Sequence, residues 1–183
     1  TIFDFSGYSD MSIGLARLFG FRLPLNFYSP YKSTSIIDFW RRWHITLGRV
    51  IRNYLWNPVS LAMTRMAVRS RYGNVRFFLA TILIPTTFTF FWIGVWHGAG
   101  WNFILFRLLH GCYIVINHIW RKIRTNGYSK AGYLMSWLLT MFAVTSAWVF
   151  FRAESLKGAL SMFSSMFGLN GFSLPMSMAY LEN

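Results

Sequence analysis

Two histidines lie in apolar, tryptophan-rich strings, and imidazole is the side chain best suited to moving protons near neutral pH. His97 lies in the string WHGAGWN (residues 96–102), within a run from Phe77 to Phe106 that contains no Asp, Glu, Lys or Arg. An ionisable group is costly to hold in hydrocarbon, so it usually faces a protein interior or a water-filled cavity and is functional there. His44 ends a second string, WRRWH (residues 40–44). We therefore predict a reactive centre around His97, with His44 as a second candidate.

The composition indicates that membrane helices position these histidines. Of the 183 residues, 55% are hydrophobic and only 13% are charged, whereas about a quarter of a soluble domain is charged. The 18 Lys and Arg residues greatly outnumber the 5 Asp and Glu residues, and they occur in short stretches between apolar runs. This pattern follows the positive-inside rule rather than a nucleic-acid groove, so we expect no nucleic-acid partner. The single cysteine, Cys112, excludes a disulfide framework and a multi-cysteine zinc site.

Three segments are long and apolar enough to cross about 30 Å of hydrocarbon. They cover residues 77–96, 101–120 and 131–151, and Pro85 is expected to kink the first. The second carries a polar side that we expect to face the inside of a bundle, made of Arg107, His110, Asn117 and His118. These spans predict an all-α, polytopic membrane helix bundle. Residues 1–183 are expected to form a single membrane domain, with no separate soluble domain.

The segments before the spans predict two further helical elements. Residues 36–55 have an apolar face opposite a basic one, which is typical of a helix lying at the membrane interface. Ser35 is its expected N-cap, and Pro58, a few residues past its end, is expected to prevent the helix from continuing. Residues 4–23 are too polar for an ordinary span, so we predict a broken or re-entrant helix buried in protein. There, Asp4 and Asp10 are expected to pair with Arg17 or another buried base.

Four strings, in their order and spacing, resemble the membrane-bound O-acyltransferase (MBOAT) family. They are DFSGYSDM (residues 4–11), FWRRWHITL (39–47), WHGAGWN (96–102) and AWVFFRA (147–153). The resemblance is to the bacterial branch that includes the alginate O-acetylation membrane protein, and it covers the chain to about Gly168. It implies that the chain is the C-terminal part of a longer protein. We expect the chain alone to be inactive, because three spans do not close a reaction chamber.

The resemblance also implies an activity and a division of roles. Members transfer an acyl group to a hydroxyl inside a ring of membrane helices, and His97 takes the place of the catalytic histidine, here expected to be the general base. His44 takes the place of a second family histidine, expected to orient substrate, to line the tunnel or only to pack. Two departures stand out: residues 53–60 replace an acidic residue and a Gly-Gly turn, and Arg107 stands where a small residue is commoner.

The remaining candidate site residues follow from the chemistry of acyl transfer. Asn102 is expected either to donate a hydrogen bond to the developing oxyanion or only to tie down the turn after Gly100. Arg41 and Arg42 are expected either among lipid headgroups or on an anionic acyl donor. Further candidates for contact with substrate or donor are Trp43, Trp96 and Asp10.

The implied reaction is transfer of acetyl groups to hydroxyls of an exported polysaccharide, as in alginate O-acetylation, in the bacterial inner membrane. The expected donor is acetyl-CoA or another acyl thioester, with no bound cofactor and no metal. Besides lipid and the polysaccharide, a periplasmic acetyltransferase protein is the expected partner. Three alternatives remain open: D-alanyl transfer to a cell-wall polymer by a related enzyme, a transporter whose polar stripe marks a path, and a haem protein that uses His97, His110 and His118.

Overall fold

A computed structural model describes residues 2–98, 100–124, 129–153, 155–169 and 171, with side chains described from Phe5 onward. Within this part of the chain, the structure is helical and contains no strand. A 3-10 turn covers Pro30–Lys32, and two π-helical turns cover Arg52–Trp56 and Leu79–Leu83. The α-helices are α1 (Ile2–Leu18), α2 (Ile36–Arg42), α3 (Ile45–Ile51), α4 (Asn57–Arg69), α5 (Asn74–Phe78), α6 (Ile84–His97), α7 (Trp101–Ile123), α8 (Lys130–Arg152) and α9 (Leu156–Met166).

Three helical segments are long and apolar enough to cross a membrane. They are Asn74–His97, which joins α5, a π-helical turn and α6, together with Trp101–Ile123 and Lys130–Arg152. These segments confirm the three predicted spans, each with ends that lie within three residues of the expected ones. The all-α membrane bundle predicted from the sequence is confirmed with them.

Both helix-internal prolines follow a π-helical turn, and the prediction that Pro58 ends a helix is wrong. The turn Arg52–Trp56 precedes Pro58, and the turn Leu79–Leu83 precedes Pro85. In the first turn, the backbone N–H of Asn57 donates to Arg52 O, five residues back. A proline removes one backbone donor and crowds the carbonyl four residues earlier. The wider π turn relieves that crowding, so the helical path continues past each proline.

The single helix predicted over residues 36–55 is also wrong, because the chain breaks at His44. α2 ends at Arg42, α3 begins at Ile45, and His44 adopts left-handed backbone angles of φ 43° and ψ 55°. The segment before α2 supports the break: the N–H of Ile45 donates to Asn26 O at 2.8 Å, and the N–H of Tyr28 donates to Arg42 O at 2.9 Å. The break turns His44 out of the helical register.

The expected cap of α2 is confirmed, because the backbone N–H of Asp38 donates to Ser35 Oγ at 3.1 Å. By contrast, the opening segment does not form a broken helix. α1 runs without interruption from Ile2 to Leu18, and the hydroxyls of Ser9 and Ser12 each donate to the carbonyl four residues earlier, so the helix itself satisfies these polar groups. Its side chains are mostly exposed rather than buried in protein.

α7 packs against α6 on one side and against α8 and α9 on the other. Where α6 crosses α7, a Cβ added at Gly94 would lie 2.8 Å from Ile104 Cα, so only glycine permits this approach. On the other side, buried apolar side chains join α7, α8 and α9, namely Phe106, Ala147, Phe150 and Ala159. A second cluster joins α2 to α8 through Ile36, Phe39 and Val144. Arg107 and His110, from the polar side of α7, are buried, so this part of the polar side faces the inside of the bundle, as predicted.

Candidate functional site

His97 is the last residue of α6, and its imidazole meets the guanidinium of Arg107 from the adjacent helix α7. Nη2 of Arg107 donates a hydrogen bond to Nε2 of His97. Guanidinium has only donors, so the imidazole nitrogen facing it must be the one with the lone pair. The ring is therefore neutral, with its proton on Nδ1. Phe151 and Trp96 pack edge-on against it, with ring centroids 5.9 and 5.0 Å away.

Arg107 is a buried cation among aromatic rings. Only 7% of the residue is exposed, and its guanidinium carbon lies 5.1 Å from the centre of the Trp40 ring and 4.9 Å from that of Phe106. Its Nε is buried without a hydrogen-bond partner. Among the residues that the structure describes, the one carboxylate in an ion pair, that of Asp38, is paired with Arg42 instead. Within the part of the chain that the structure describes, the charge of Arg107 is thus balanced by ring faces and a neutral imidazole.

His44 is held by an amide from the segment before α2. Its Nδ1 lies 3.0 Å from Asn26 Oδ1. The same oxygen accepts from the backbone N–H of Thr46 at 3.4 Å and from Thr46 Oγ1 at 2.8 Å. A backbone N–H can only donate, so the atom facing His44 is the amide oxygen, and Nδ1 of His44 must carry the ring proton. Nε2 of His44 is then the nitrogen with the lone pair.

The electrostatic surroundings keep His44 neutral. Burial lowers its pKa below the usual 6.5, and the positive charge of Arg107 lowers it further. His44 and His97 also lie close enough to interact electrostatically. The structure therefore brings together two imidazoles and a guanidinium from three separate parts of the chain: the α2–α3 break, the end of α6 and the middle of α7. We call His44, His97 and Arg107 the histidine–arginine cluster.

Asn102 lies close in sequence to His97, but its amide is used elsewhere. Its Nδ2 donates to Ala153 O at 2.9 Å, which ties the start of α7 to the end of α8. This bond engages the side chain, so the geometry favours an anchoring role over donation to an oxyanion. The anchor holds α8 rather than the turn after Gly100.

The two tryptophans proposed as contacts differ in their surroundings. Trp43 stacks on Phe39 at 5.5 Å and packs against Trp148 at 5.7 Å, so it joins α2 to α8. Trp96 is 68% exposed, and its ring edge contacts His97. Of the two, only Trp96 has a ring contact with the histidine–arginine cluster among the described contacts.

The three charged candidates lie outside the cluster. Arg41 and Asp10 are exposed. Arg42 donates from Nε to Asp38 Oδ2 at 2.9 Å and lies over the ring of Tyr28. The expected pairing of Asp10 with Arg17 is wrong within the described residues, because both side chains are exposed and no ion pair joins them. The side chain of Asp4 lies outside the described residues.

Sequence reasoning missed one member of the cluster, Arg107, and the residue that holds His44, Asn26. Asn26 gave no signal, because it stands alone in a loop 18 residues from His44. Arg107 was predicted to face the inside of the bundle and was noted as a departure from the family pattern, but its contact with His97 was not predicted. His110 also belongs to the polar side of α7. It is fully buried between the rings of Trp40 and Phe106, and neither of its ring nitrogens is hydrogen-bonded. This placement is that of a packing residue.

The arrangement is suited to proton transfer at a hydroxyl. Two neutral imidazoles each have one lone pair, and a buried cation beside them stabilises negative charge. Within the residues described, no group of three or more His, Cys, Asp or Glu side chains is placed to hold a metal ion. The histidine–arginine cluster itself offers two bases, hydrogen-bond donors and one positive charge.

Comparison with known proteins gives consistent matches along the chain. Residues 1–163 match the model of MBOAT, the membrane-bound O-acyltransferase family. The chain is 43% identical over 172 residues to the peptidoglycan O-acetyltransferase of Helicobacter pylori, covering 94% of this chain and 30% of that protein. It is 40% identical over 172 residues to the probable alginate O-acetylase AlgI of Azotobacter vinelandii, covering 94% of this chain and 31% of that protein.

A more distant match is the teichoic acid D-alanyltransferase of Streptococcus thermophilus. It is 32% identical over 127 residues, covering 67% of this chain and 28% of that protein. The chain thus spans less than a third of the length of these curated relatives.

Proposed function

The chain belongs to the membrane-bound O-acyltransferase family, and from that premise we propose that its protein transfers acetyl groups to hydroxyls of an exported cell-envelope polysaccharide. The observation that carries the proposal is the histidine–arginine cluster. It places His44 and His97 together inside a membrane bundle, each neutral and each with one lone pair. His97 and His44 also stand at the positions that the resemblance assigns to the two family histidines.

His97 is the general base in this proposal. Its Nε2 accepts the proton of the acceptor hydroxyl, once Arg107 has left that nitrogen, while the hydroxyl oxygen attacks the thioester carbonyl. The tetrahedral intermediate collapses, the carbon–sulfur bond breaks, and the imidazolium returns the proton to the leaving thiolate. His44 accepts, at Nε2, a hydrogen bond from a second hydroxyl of the acceptor sugar and so orients the attacking one. The burial of Arg107 strengthens the electrostatic interactions on its side of the cluster, because water screens them little there.

Acetyl transfer is favoured over D-alanyl transfer by the comparisons. The two O-acetylating relatives are 43% and 40% identical over 94% of the chain, whereas the D-alanyltransferase is 32% identical over 67%. Peptidoglycan joins alginate as a candidate acceptor on the same ground. The proposal further includes acetyl-CoA or another thioester as donor, a multi-pass location in the bacterial inner membrane, and a periplasmic partner that completes transfer to the polymer.

The test uses the full-length gene product in bacterial membranes, with membranes from cells that lack the gene as control. Radiolabelled acetyl-CoA is supplied with alginate-type or peptidoglycan fragments, and a parallel reaction supplies a D-alanyl-charged carrier protein. We expect label from the acetyl donor on a polysaccharide hydroxyl, sensitive to mild base as esters are. Label from the D-alanyl donor alone would overturn the acetyl assignment. A Soret absorbance band in the purified protein would instead support the haem alternative.

A further inference from the structure

We infer that Arg107 binds an anionic group of a substrate, and that this anion draws the guanidinium away from Nε2 of His97. The inference rests on the proposed acyl transfer, because it concerns when the base at that site becomes available. Two features of the cluster require explanation: a buried positive charge that lacks a counter-ion in the described part of the chain, and a proposed base whose lone pair is occupied.

The first feature is the uncompensated charge. Arg107 is 7% exposed and its Nε has no hydrogen-bond partner. Its described neighbours are ring faces, from Trp40 and Phe106, and the neutral ring of His97. Ring faces attract a cation only weakly compared with a hydrogen-bonded carboxylate or phosphate. A buried arginine in these surroundings has donors still to satisfy, which is typical of a site that receives an anion.

The second feature is the occupied lone pair. A neutral imidazole has one basic nitrogen, and in His97 that nitrogen is Nε2, which accepts the hydrogen bond from Arg107 Nη2. While this bond persists, Nε2 cannot accept the proton of a hydroxyl. The structure therefore shows His97 in a resting state that must change before the base acts.

One event resolves both features. A carboxylate or phosphate pairs with guanidinium through two parallel, charge-assisted hydrogen bonds, which are stronger than a bond to a neutral imidazole. An anion at Arg107 therefore replaces His97 as its partner, satisfies the buried charge and frees the lone pair. The base then becomes available only when substrate is present, which protects the thioester from loss to water.

The location suits such an anion, because Arg107 lies within electrostatic reach of both histidines. His44 and His97 are half-buried rather than sealed, so the cluster is open to a ligand on that side. The anion has two chemical sources: a sugar carboxylate on an acidic acceptor, or a phosphate of a coenzyme A donor. The shared chemistry is a planar or tetrahedral oxyanion, and the experiment distinguishes the sources.

The experiment compares the full-length protein with R107M and R107K, using R121M as the matched control. Met has a similar length without charge, and Lys keeps the charge without the bidentate fork. Arg121 lies on the same helix but is exposed. One arm measures acetyl transfer to an acidic oligosaccharide and to its neutral methyl ester. The other arm compares acetyl-CoA with acetyl-pantetheine, which has no phosphate.

In one of these arms, we expect wild type and R121M to prefer the anionic substrate over its neutral counterpart by about 10- to 100-fold in kcat/KM. This ratio corresponds to the free energy of one hydrogen bond to a charged group. R107M should lose that preference and use the neutral form at least as fast as wild type, because Nε2 of His97 is then free. R107K should keep part of the preference. Equal slowing of both forms in R107M would assign Arg107 a structural role, and the absence of any preference in wild type would also overturn the inference.

A binding measurement separates this inference from the proposed function. Radiolabelled coenzyme A and a radiolabelled acidic oligosaccharide are titrated against the solubilised full-length protein without any reaction. R107M should bind one of them about 10-fold or more weakly than R121M does. If membranes transfer no acetyl group but R107M shows this binding defect, the proposed function fails and the anion site stands. Equal affinities in R107M and R121M overturn the anion site whatever the transfer assay gives.

Discussion

Replacing Gly94 by alanine tests whether the close crossing of α6 and α7 holds the histidine–arginine cluster together. The added Cβ would lie 2.8 Å from Ile104 Cα and 3.2 Å from Phe103 O, and both are backbone atoms that cannot rotate away. Ordinary carbon contacts need about 3.5–4.0 Å, so the helices must separate by about 1 Å. His97 follows three residues later on the same face of α6 and moves with it, away from Arg107 on α7.

The expected loss follows from that displacement. Overpacking of this kind costs about 1–3 kcal/mol of stability, while a 1 Å misplacement at a reacting site costs about 100-fold in rate. Alanine is favoured over glycine within a helix by about 1 kcal/mol, so a loss in G94A comes from packing and not from helix propensity. We therefore expect G94A to fold, with reduced thermal stability, and to transfer acetyl groups about 100-fold more slowly than wild type.

The assay measures initial acetyl-transfer rates in membranes, normalised to folded protein from fluorescence-detected gel filtration. Two glycines provide a graded comparison. A Cβ at Gly111 would lie 3.3 Å from Phe90 Cβ, so G111A should lose less activity. Gly73 has no atom within 4 Å of the added Cβ and φ of −66°, so G73A should match wild type. If G94A kept its rate within twofold of G73A, the reasoning from helix separation would be refuted.

Two further predictions concern hydrogen bonds. In N26D, a carboxylate would stand 3.0 Å from Nδ1 of His44, and its negative charge would raise the lowered pKa of that imidazole. The acid limb of the kcat–pH profile should then move to higher pH, because His44 loses its lone pair on protonation, and an unchanged limb would contradict the role of His44. In N102A, the loss of the bond to Ala153 O leaves a carbonyl unpaired, so thermal unfolding should show a loss of about 1–3 kcal/mol. The rate per folded molecule should stay within a few-fold, and a large rate loss at unchanged stability would restore the oxyanion role of Asn102.

The sequence predicted the parts of the fold that depend on length and hydropathy alone. The three spans were found because about twenty predominantly apolar residues have few stable conformations other than a membrane helix. The polar side of α7 was predicted to face inward for a similar reason, and Arg107 and His110 are indeed buried. The resemblance drawn from four short strings was confirmed by the family match over residues 1–163.

The predictions that were wrong concern features that depend on local backbone geometry. Helical periodicity in residues 36–55 is continuous across His44, but the extended backbone of Trp43 and the left-handed angles of His44 break the helix. Those angles are supported by bonds to residues 26–28, and such long-range partners leave no trace in periodicity. Likewise, a proline usually ends a helix, but the π-helical turns before Pro58 and Pro85 remove the clash.

The two histidines of the candidate site were predicted from the sequence, but their hydrogen-bond partners were not. His44 and His97 were identified by the apolar strings around them and by the family resemblance. Their protonation pattern depends on Asn26 and Arg107, which are 18 and 10 residues away in sequence and come close only through the fold. A tautomer is decided by the partner atom, and the partner atom is brought into place only by the fold.

The measurement that tests the central claim most directly is the rate of acetyl transfer in H97Q, compared with H118Q in the same membranes. Both histidines belong to membrane-spanning helices and both are half-buried. Of the two, His97 has a described hydrogen bond with Arg107 and His118 does not. General bases contribute about 100- to 10,000-fold. We predict a loss in that range for H97Q at normal folded yield, with H118Q close to wild type. Equal rates in the two variants would contradict the claim that His97 is the base.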